Sequence, residues 1–437
     1  MRTTIRPHIA RGRTKLLLLA ISCGIAAQGA ASGQSLAPPS PTYAELHAFS
    51  GAKDGGIPFG GLVRGTDGAL YGTASRGGFQ NNGVVFKLEP PVPPATQWAL
   101  TTLYAFKGLN VGDGSAPEYG GLAFDSDGAL YGTTSAGGTL DMGTVFKLAP
   151  PVPPSKRWTE TVLHSFIGND DGSLPLNGVA VNTKGELFGV TATGGAAFHG
   201  VYQNAGMVFK LAPPVPPATQ WTNESLHSFT GLLDGRGPSG VVFDTFGALY
   251  GTAGLGGAHD QGLVFKLAPP TPPATQWTLS ALHSFSGDDG ANPSNGVIFG
   301  PGGALFGVTY AFGVPRQGVV FQVAPPAPPA TQWTGSVLHA FTGGNDGFGP
   351  AAGLVFGTDG ALYGTTERGG AGALGTAFKM TPPASGTGPW RETILHSFGG
   401  ADGIAPYSPL IFGANGALYG ITPAGGSLSD GTVFELR

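Results

Sequence analysis

Carboxylates, imidazoles and indoles recur in this 437-residue chain at spacings regular enough to suggest chemistry. Seven aspartates each head an Asp-Gly-x-x-Pro motif: Asp54, Asp113, Asp171, Asp234, Asp289, Asp346 and Asp402. Six histidines sit in a Leu-His-x-Phe element (His47, His164, His227, His283, His339 and His396), and Tyr104 takes that place in the remaining copy. A ring of carboxylates could hold cations, but cation loops need several oxygen ligands converging from one short segment, and this motif offers one. Turn chemistry accounts for it better: Asp accepts backbone N–H groups, Gly takes the left-handed position, and Pro fixes the start of the following strand. The histidines fall one per repeat on outermost strands, so neighbours should stand more than roughly 10 Å apart on sheet spacings. Zinc needs its ligands about 2.1 Å from one point. They read as packing residues, and neither a metal nor a cofactor is expected.

Six tryptophans (Trp98, Trp158, Trp221, Trp277, Trp333 and Trp390) follow Pro-rich links such as APPVPPATQW at 212–221. They could form a sugar-stacking platform; their commoner role is to anchor a strand after a stiff polyproline connector. Residues that do not recur are better candidates for contact with a ligand, because function in a repeat array departs from its symmetry. In the loops these are Arg76, Glu118, Tyr119, Asp141, Asn177, His199, Tyr202, Arg316, Glu367, Arg368 and Tyr407. No nucleophile elbow, zinc motif or phosphate loop is present. An enzymatic reading (lyase, lactonase or glycosidase) would rest on Glu118, His199 and Glu367, and a retaining glycosidase would need two carboxyls about 5–5.5 Å apart.

The elements that must position these residues are repeats. The phrase DGALYGTT occurs at 127–134 and 359–366, with near-copies at 67–74, 184–191, 246–253, 302–309 and 415–422. From His47 through Tyr104 to His396 the spacings are 57, 60, 63, 56, 56 and 57 residues. Units of this length indicate a repeat architecture. Within 117–166 four short apolar segments stand between turn signals: GLAFD (121–125), ALYGTT (129–134), GTVFKL (143–148) and WTETVLHSF (158–166). All are rich in β-branched and aromatic residues and too short for helices. A Gly closes the turn between the first two in every copy, as a tight hairpin requires. A four-stranded sheet cannot bury both apolar faces alone, and radial stacking of seven such sheets closes a ring. The expected fold is all-β, a seven-bladed β-propeller with four antiparallel strands per blade; a linear β-solenoid is the alternative. YAELHAF (43–49) matches the outer strand and GTVFEL (431–436) the third, so the ring should close by pairing the N-terminal outer strand with the C-terminal blade, which hides two sheet edges.

The pattern GTVFKLAPP…QWTETVLHSF…DGSLP…GLAFD…GALYGTT resembles the bacterial extracellular GloVer (Gloeobacter–Verrucomicrobia) choice-of-anchor tandem-repeat proteins, over residues 43–437. The resemblance implies an exported, propeller-like protein and no particular activity. Members of that family vary in how they attach to the cell, and the absence of a sorting tail before Arg437 suggests release or periplasmic residence.

Composition fits export. Arg2, Arg6, Arg11, Arg13 and Lys15 precede an apolar run from Leu16 to about Ala27 and then small residues. Residues 1–37 therefore read as a signal peptide with a short linker, cleaved between about 29 and 37, and 38–437 as a single domain. The apolar run is short for a membrane span, so none is expected after cleavage. Cys23, the only cysteine, lies in that run and could be lipidated, although Ala20-Ile21-Ser22 matches such a leader poorly. Residues 38–437 carry 17 Lys and Arg against 26 Asp and Glu, a net charge of −9, which argues against nucleic acid and anionic membranes as partners. The leading expectation is a secreted, periplasmic or surface-held monomer acting as a binding scaffold for a carbohydrate or protein. A purely structural surface module is the third reading.

Overall fold

The first described strand, Tyr43–Ala48 (β1), does not pair with its successor in the chain. The four strands after it, Val63–Arg64 (β2), Leu70–Ala74 (β3), Val84–Glu89 (β4) and Ala99–Ala105 (β5), form an antiparallel sheet in that order. β1 instead lies along Thr432–Leu436, with Tyr43 opposite Leu436 and Ala48 opposite Thr432. Thr42 and Arg437 extend this seam by exchanging backbone hydrogen bonds of 2.8 and 3.1 Å. The computed structural model describes residues 41–195, 204–313, 316–386 and 388–437, which build seven four-stranded sheets in a closed propeller. The segment read as a signal, with Cys23, and the candidates His199 and Tyr202 lie outside the described residues.

The repeated phrase makes the second strand of each blade and supplies its fit to the third. Gly68 and its six equivalents turn the hairpin with φ between 74° and 83°, which a residue without a Cβ adopts at little cost. The second Gly of the phrase has a different task. A Cβ on Gly132 would stand 2.7 Å from Cζ of Phe146 in the adjacent strand, so the Phe ring occupies the space a side chain would need. That ring in turn meets Phe106 of the preceding blade edge to face, with centroids 5.2 Å apart. The same pair recurs at each junction, from Phe49–Phe86 to Phe398–Phe434, both at 5.2 Å. The core is therefore not one interior. It is divided into slabs, each spanning two neighbouring blades, such as Phe106, Leu122 and Phe146 with Tyr71 and Val85.

Other parts of the motif secure the edges of each slab. Tyr71 donates to Asp67 at 2.9 Å, and Thr73 donates across the junction to the Pro117 carbonyl at 3.2 Å. Trp158 reaches back to the Tyr71 ring with centroids 6.4 Å apart, as Trp98 does to Tyr419 at 5.9 Å. The Leu of each Leu-His-x-Phe element falls at a register shift: Val145 faces His164 and Phe146 faces Val162, leaving Leu163 as the bulged residue. Such an extra residue adds local twist and re-aims the side chains beside it.

The innermost strands differ from the five-residue expectation. In the second blade only Ala123–Phe124 is a strand. Ser173–Val181, Arg236–Phe243 and Ala291–Phe299 are longer, and each carries a register shift.

Candidate functional site

The turn after each outer strand and the loop between the second and third strands emerge on the same face. Gly56 and Arg76 exchange backbone hydrogen bonds of 3.1 Å, and Phe348 and Arg368 pair in the same way. From this face the chain descends into the innermost strands around the ring axis, where Gly61, Gly121, Gly178, Gly240, Gly296 and Gly353 line a cavity of about 320 Å³. At Gly178 a side chain is excluded: its Cβ would lie 2.2 Å from the Gly121 carbonyl oxygen. Tyr119, Asn177, Asn295 and Pro409 complete its wall.

An aromatic crescent stands at the mouth. Phe59 sits between Tyr119 and Tyr407, with centroid separations of 5.1 and 5.6 Å and ring planes tilted by 35° and 58°. Tyr119 is 43% exposed, although its backbone is left-handed; a non-Gly residue held that way stores about 1–3 kcal/mol, and such positions cluster at functional sites. Beside the crescent lies Glu367, only 5% exposed. Its Oε2 accepts a 2.7 Å hydrogen bond from Tyr310 of the preceding blade, and its Oε1 accepts a 3.1 Å bond from Arg368 Nε. Burial, and then the Glu367 carboxylate, push the Tyr407 phenol well above its ordinary range, so it stays protonated as a donor. Burial, followed by Glu118 and Glu367, also raises the Tyr119 phenol.

The residue following the repeated phrase governs this region. It is Ser75, Ser135, Ala192, Gly254, Tyr310, Glu367 and Pro423 in successive blades. Ser75 and Ser135 each donate a 3.0 Å bond to a turn carbonyl, of Ile57 and Ala116 respectively. Ala192 and Gly254 leave room for a second recess of about 470 Å³, walled by Tyr310, Ser239, Ser294 and Arg236.

Of the candidates named from sequence, Tyr119, Asn177, Glu367, Arg368 and Tyr407 come together around the axis, and Glu118 is half-buried next to Tyr119. Three lie elsewhere. Asp141 closes its own loop by accepting a 2.7 Å bond from Gly137 N, Arg76 is held by main-chain bonds to Gly56, and the Arg316 guanidinium lies 5.5 Å from the Phe312 ring centroid. Phe59, Tyr310 and Asn295 join the site without having been singled out. For Tyr310 the signal was available, since it breaks the pattern at the same column as Glu367.

The turn aspartates form a second constellation at the outer rim, in which the histidines do more than pack. Asp171 accepts from the Ile167 backbone at 2.9 Å, as turn chemistry asks, and also meets His164 Nε2 at 3.0 Å. His47–Asp54, His227–Asp234, His283–Asp289 and His396–Asp402 repeat the contact at 3.3, 3.2, 2.7 and 2.6 Å. Tyr104 fills the role at 2.7 Å from Asp113, and at Asp346 the partner histidine stands farther off, 3.7 Å away. Sequence missed this pairing because the bulge before each histidine, not the spacing, aims it at the turn.

A family model described as the Gloeobacter/Verrucomicrobia repeat matches residues 24–203 and 197–434. No curated protein matches the chain. Among solved structures, the calcium structure of a carbohydrate-active enzyme of family AA12 from Trichoderma reesei is similar at 14% identity and a TM-score of 0.44, covering 91% of this chain and 97% of that one. The PQQ-bound aldose sugar dehydrogenase of Streptomyces coelicolor is similar at 12% identity and a TM-score of 0.42, covering 92% and 99%.

Proposed function

We propose that this chain, which belongs to the Gloeobacter/Verrucomicrobia repeat family, is an exported binding protein that takes a carbohydrate at the axial mouth of its loop face. The observation that carries this reading is the crescent of Phe59, Tyr119 and Tyr407 set beside Glu367 and Arg368. A sugar presents an apolar C–H face and a rim of hydroxyls. The ring faces suit the first by stacking, and phenol, carboxylate, guanidinium and the Asn177 and Asn295 amides suit the second. Concave apolar surface with a few convergent polar groups is the usual form of a ligand site. The polar partners of Glu367 are phenols and a guanidinium, which fix its orientation and favour a role in holding a ligand.

A glycan array probed with the purified protein, followed by titration calorimetry on each hit, tests the proposal. Binding to a subset of glycans is expected, weakened about 10-fold or more by Tyr119→Ala or Tyr407→Ala, as truncating a central aromatic anchor does elsewhere. An array without hits, or hits indifferent to both variants, overturns it. Turnover of a bound glycan that Glu367→Gln abolishes would replace binding with catalysis.

A further inference from the structure

Several junctions between blades build a common rim arrangement. The histidine of one outer strand lies against its own turn aspartate, and the residue four positions before the next blade's histidine closes over the pair. Asn223 donates to Asp171 at 2.7 Å, the Tyr43 ring stacks on His396 at 4.7 Å, and a Cβ on Gly335 would stand 2.4 Å from His283.

The junction between the fifth and sixth blades departs from this arrangement. His339 Nε2 stands 3.7 Å from Asp346 and 3.6 Å from Glu392 Oε2, too far for a hydrogen bond to either. His339 Nε2 and Glu392 Oε1 are buried with no hydrogen-bond partner, and the Glu392 side chain is only 11% exposed. Asp346 is fixed from behind by Thr342, through its backbone N at 2.7 Å and its Oγ1 at 2.6 Å. Two carboxylates and an imidazole thus face one another at ion-pair distance with no hydrogen bond joining them, which is costly when buried. One ligand atom from each of the three lies within 4.8 Å of the others. Around a tetrahedral zinc with bonds of about 2.0–2.2 Å, ligand atoms stand roughly 3.3–3.5 Å apart, close to the two histidine–carboxylate separations.

We propose that His339, Asp346 and Glu392 bind a divalent transition-metal ion, zinc or one of similar preference, which ties the fifth blade to the sixth. A nitrogen and two oxygen ligands suit such an ion. Calcium would require six to eight oxygens. The site is separate from the axial mouth, and its test does not depend on the glycan.

The protein is dialysed against zinc chloride, its metal content measured, and its melting followed with and without zinc. Wild type is expected to hold one more zinc per chain than Glu392→Gln or His339→Gln, and to melt a few degrees higher with zinc, a shift both variants lose. Glu160→Gln, at the equivalent position of the junction where Tyr104 replaces histidine, should bind as wild type does. Native mass spectrometry of wild type gives the stoichiometry even if a variant folds poorly. No zinc on wild type, the same zinc content and melting shift in Glu392→Gln and His339→Gln, or calcium bound in preference to zinc would each overturn the proposal.

Discussion

The Tyr43 ring lies stacked on the imidazole of His396, with centroids 4.7 Å apart and planes inclined by 18°, and its hydroxyl donates to the Asp402 carbonyl at 2.7 Å. The strand that closes the ring is thereby held to the blade beside its own as well as to Thr432–Leu436. Replacing Tyr43 by Ala should destabilise the fold by about 2–4 kcal/mol, and by Phe about 1 kcal/mol, read from urea denaturation. Equal losses in the two variants would mean that the ring contributes little.

Gly132 and Phe146 compete for one volume. Gly132→Ala should cost about 1–3 kcal/mol by overpacking. In combination with Phe146→Leu, which shortens the intruding ring, the loss should be smaller than the sum of the single losses, a coupling that a double-mutant cycle measures.

Burial, and then the nearby Asp113, push the Glu160 carboxyl up to about 7. A carboxyl raised on folding favours the native state below its unfolded pKa, and that contribution drains away as pH rises through about 4.5 to 7. Because the side chain is only half-buried, the effect is discounted to about 1–2 kcal/mol. Glu160→Gln should therefore stabilise the protein by that amount at pH 8 and change nothing at pH 4, as thermal melts at the two pH values would show.

Asp289 has the opposite sign. Burial raises its carboxyl, but His283 and the Ser286 backbone and hydroxyl outweigh that and bring it down to about 2. A depressed carboxyl stabilises above its unfolded pKa of 3.8 and loses that contribution as pH falls through about 2. With solvent screening taken into account, Asp289→Asn should cost about 1 kcal/mol at pH 7, a difference that closes near pH 2. A gap that persisted at pH 2 would place the effect in packing.

The fold was legible because each motif has a local cause. Gly68 needs a left-handed φ, Gly132 must make way for Phe146, and Leu163 marks the bulge, so every repeat carries these residues. The site was legible only as a departure from that regularity. Glu367, Tyr119 and Tyr407 could be picked out because they break the repeat, whereas Arg368 has a counterpart in Arg76, Asn177 in Asn295, and Asp141 in Asn81 and Asp260, which close their own loops in the same way. Tyr310 breaks the pattern at the same column as Glu367 and was legible in the same way, whereas Phe59 was hidden because which blades contribute to the mouth depends on small differences in how each chain segment approaches the axis. The rim cluster was hidden for another reason. His339 and Glu392 lie 53 positions apart in the chain, and nothing in either motif alone shows that adjoining blades face them toward each other.

The seam between β1 and Thr432–Leu436 has a mechanical consequence. Thr42 and Arg437 lie opposite each other at one end of this antiparallel ladder, so a pull applied across them opens the backbone bonds in succession, like a zip. Force entering at one of these residues alone leaves the ladder unloaded. Held by a single tether the propeller keeps its closure under strain; stretched between two anchors it gives way first at that seam.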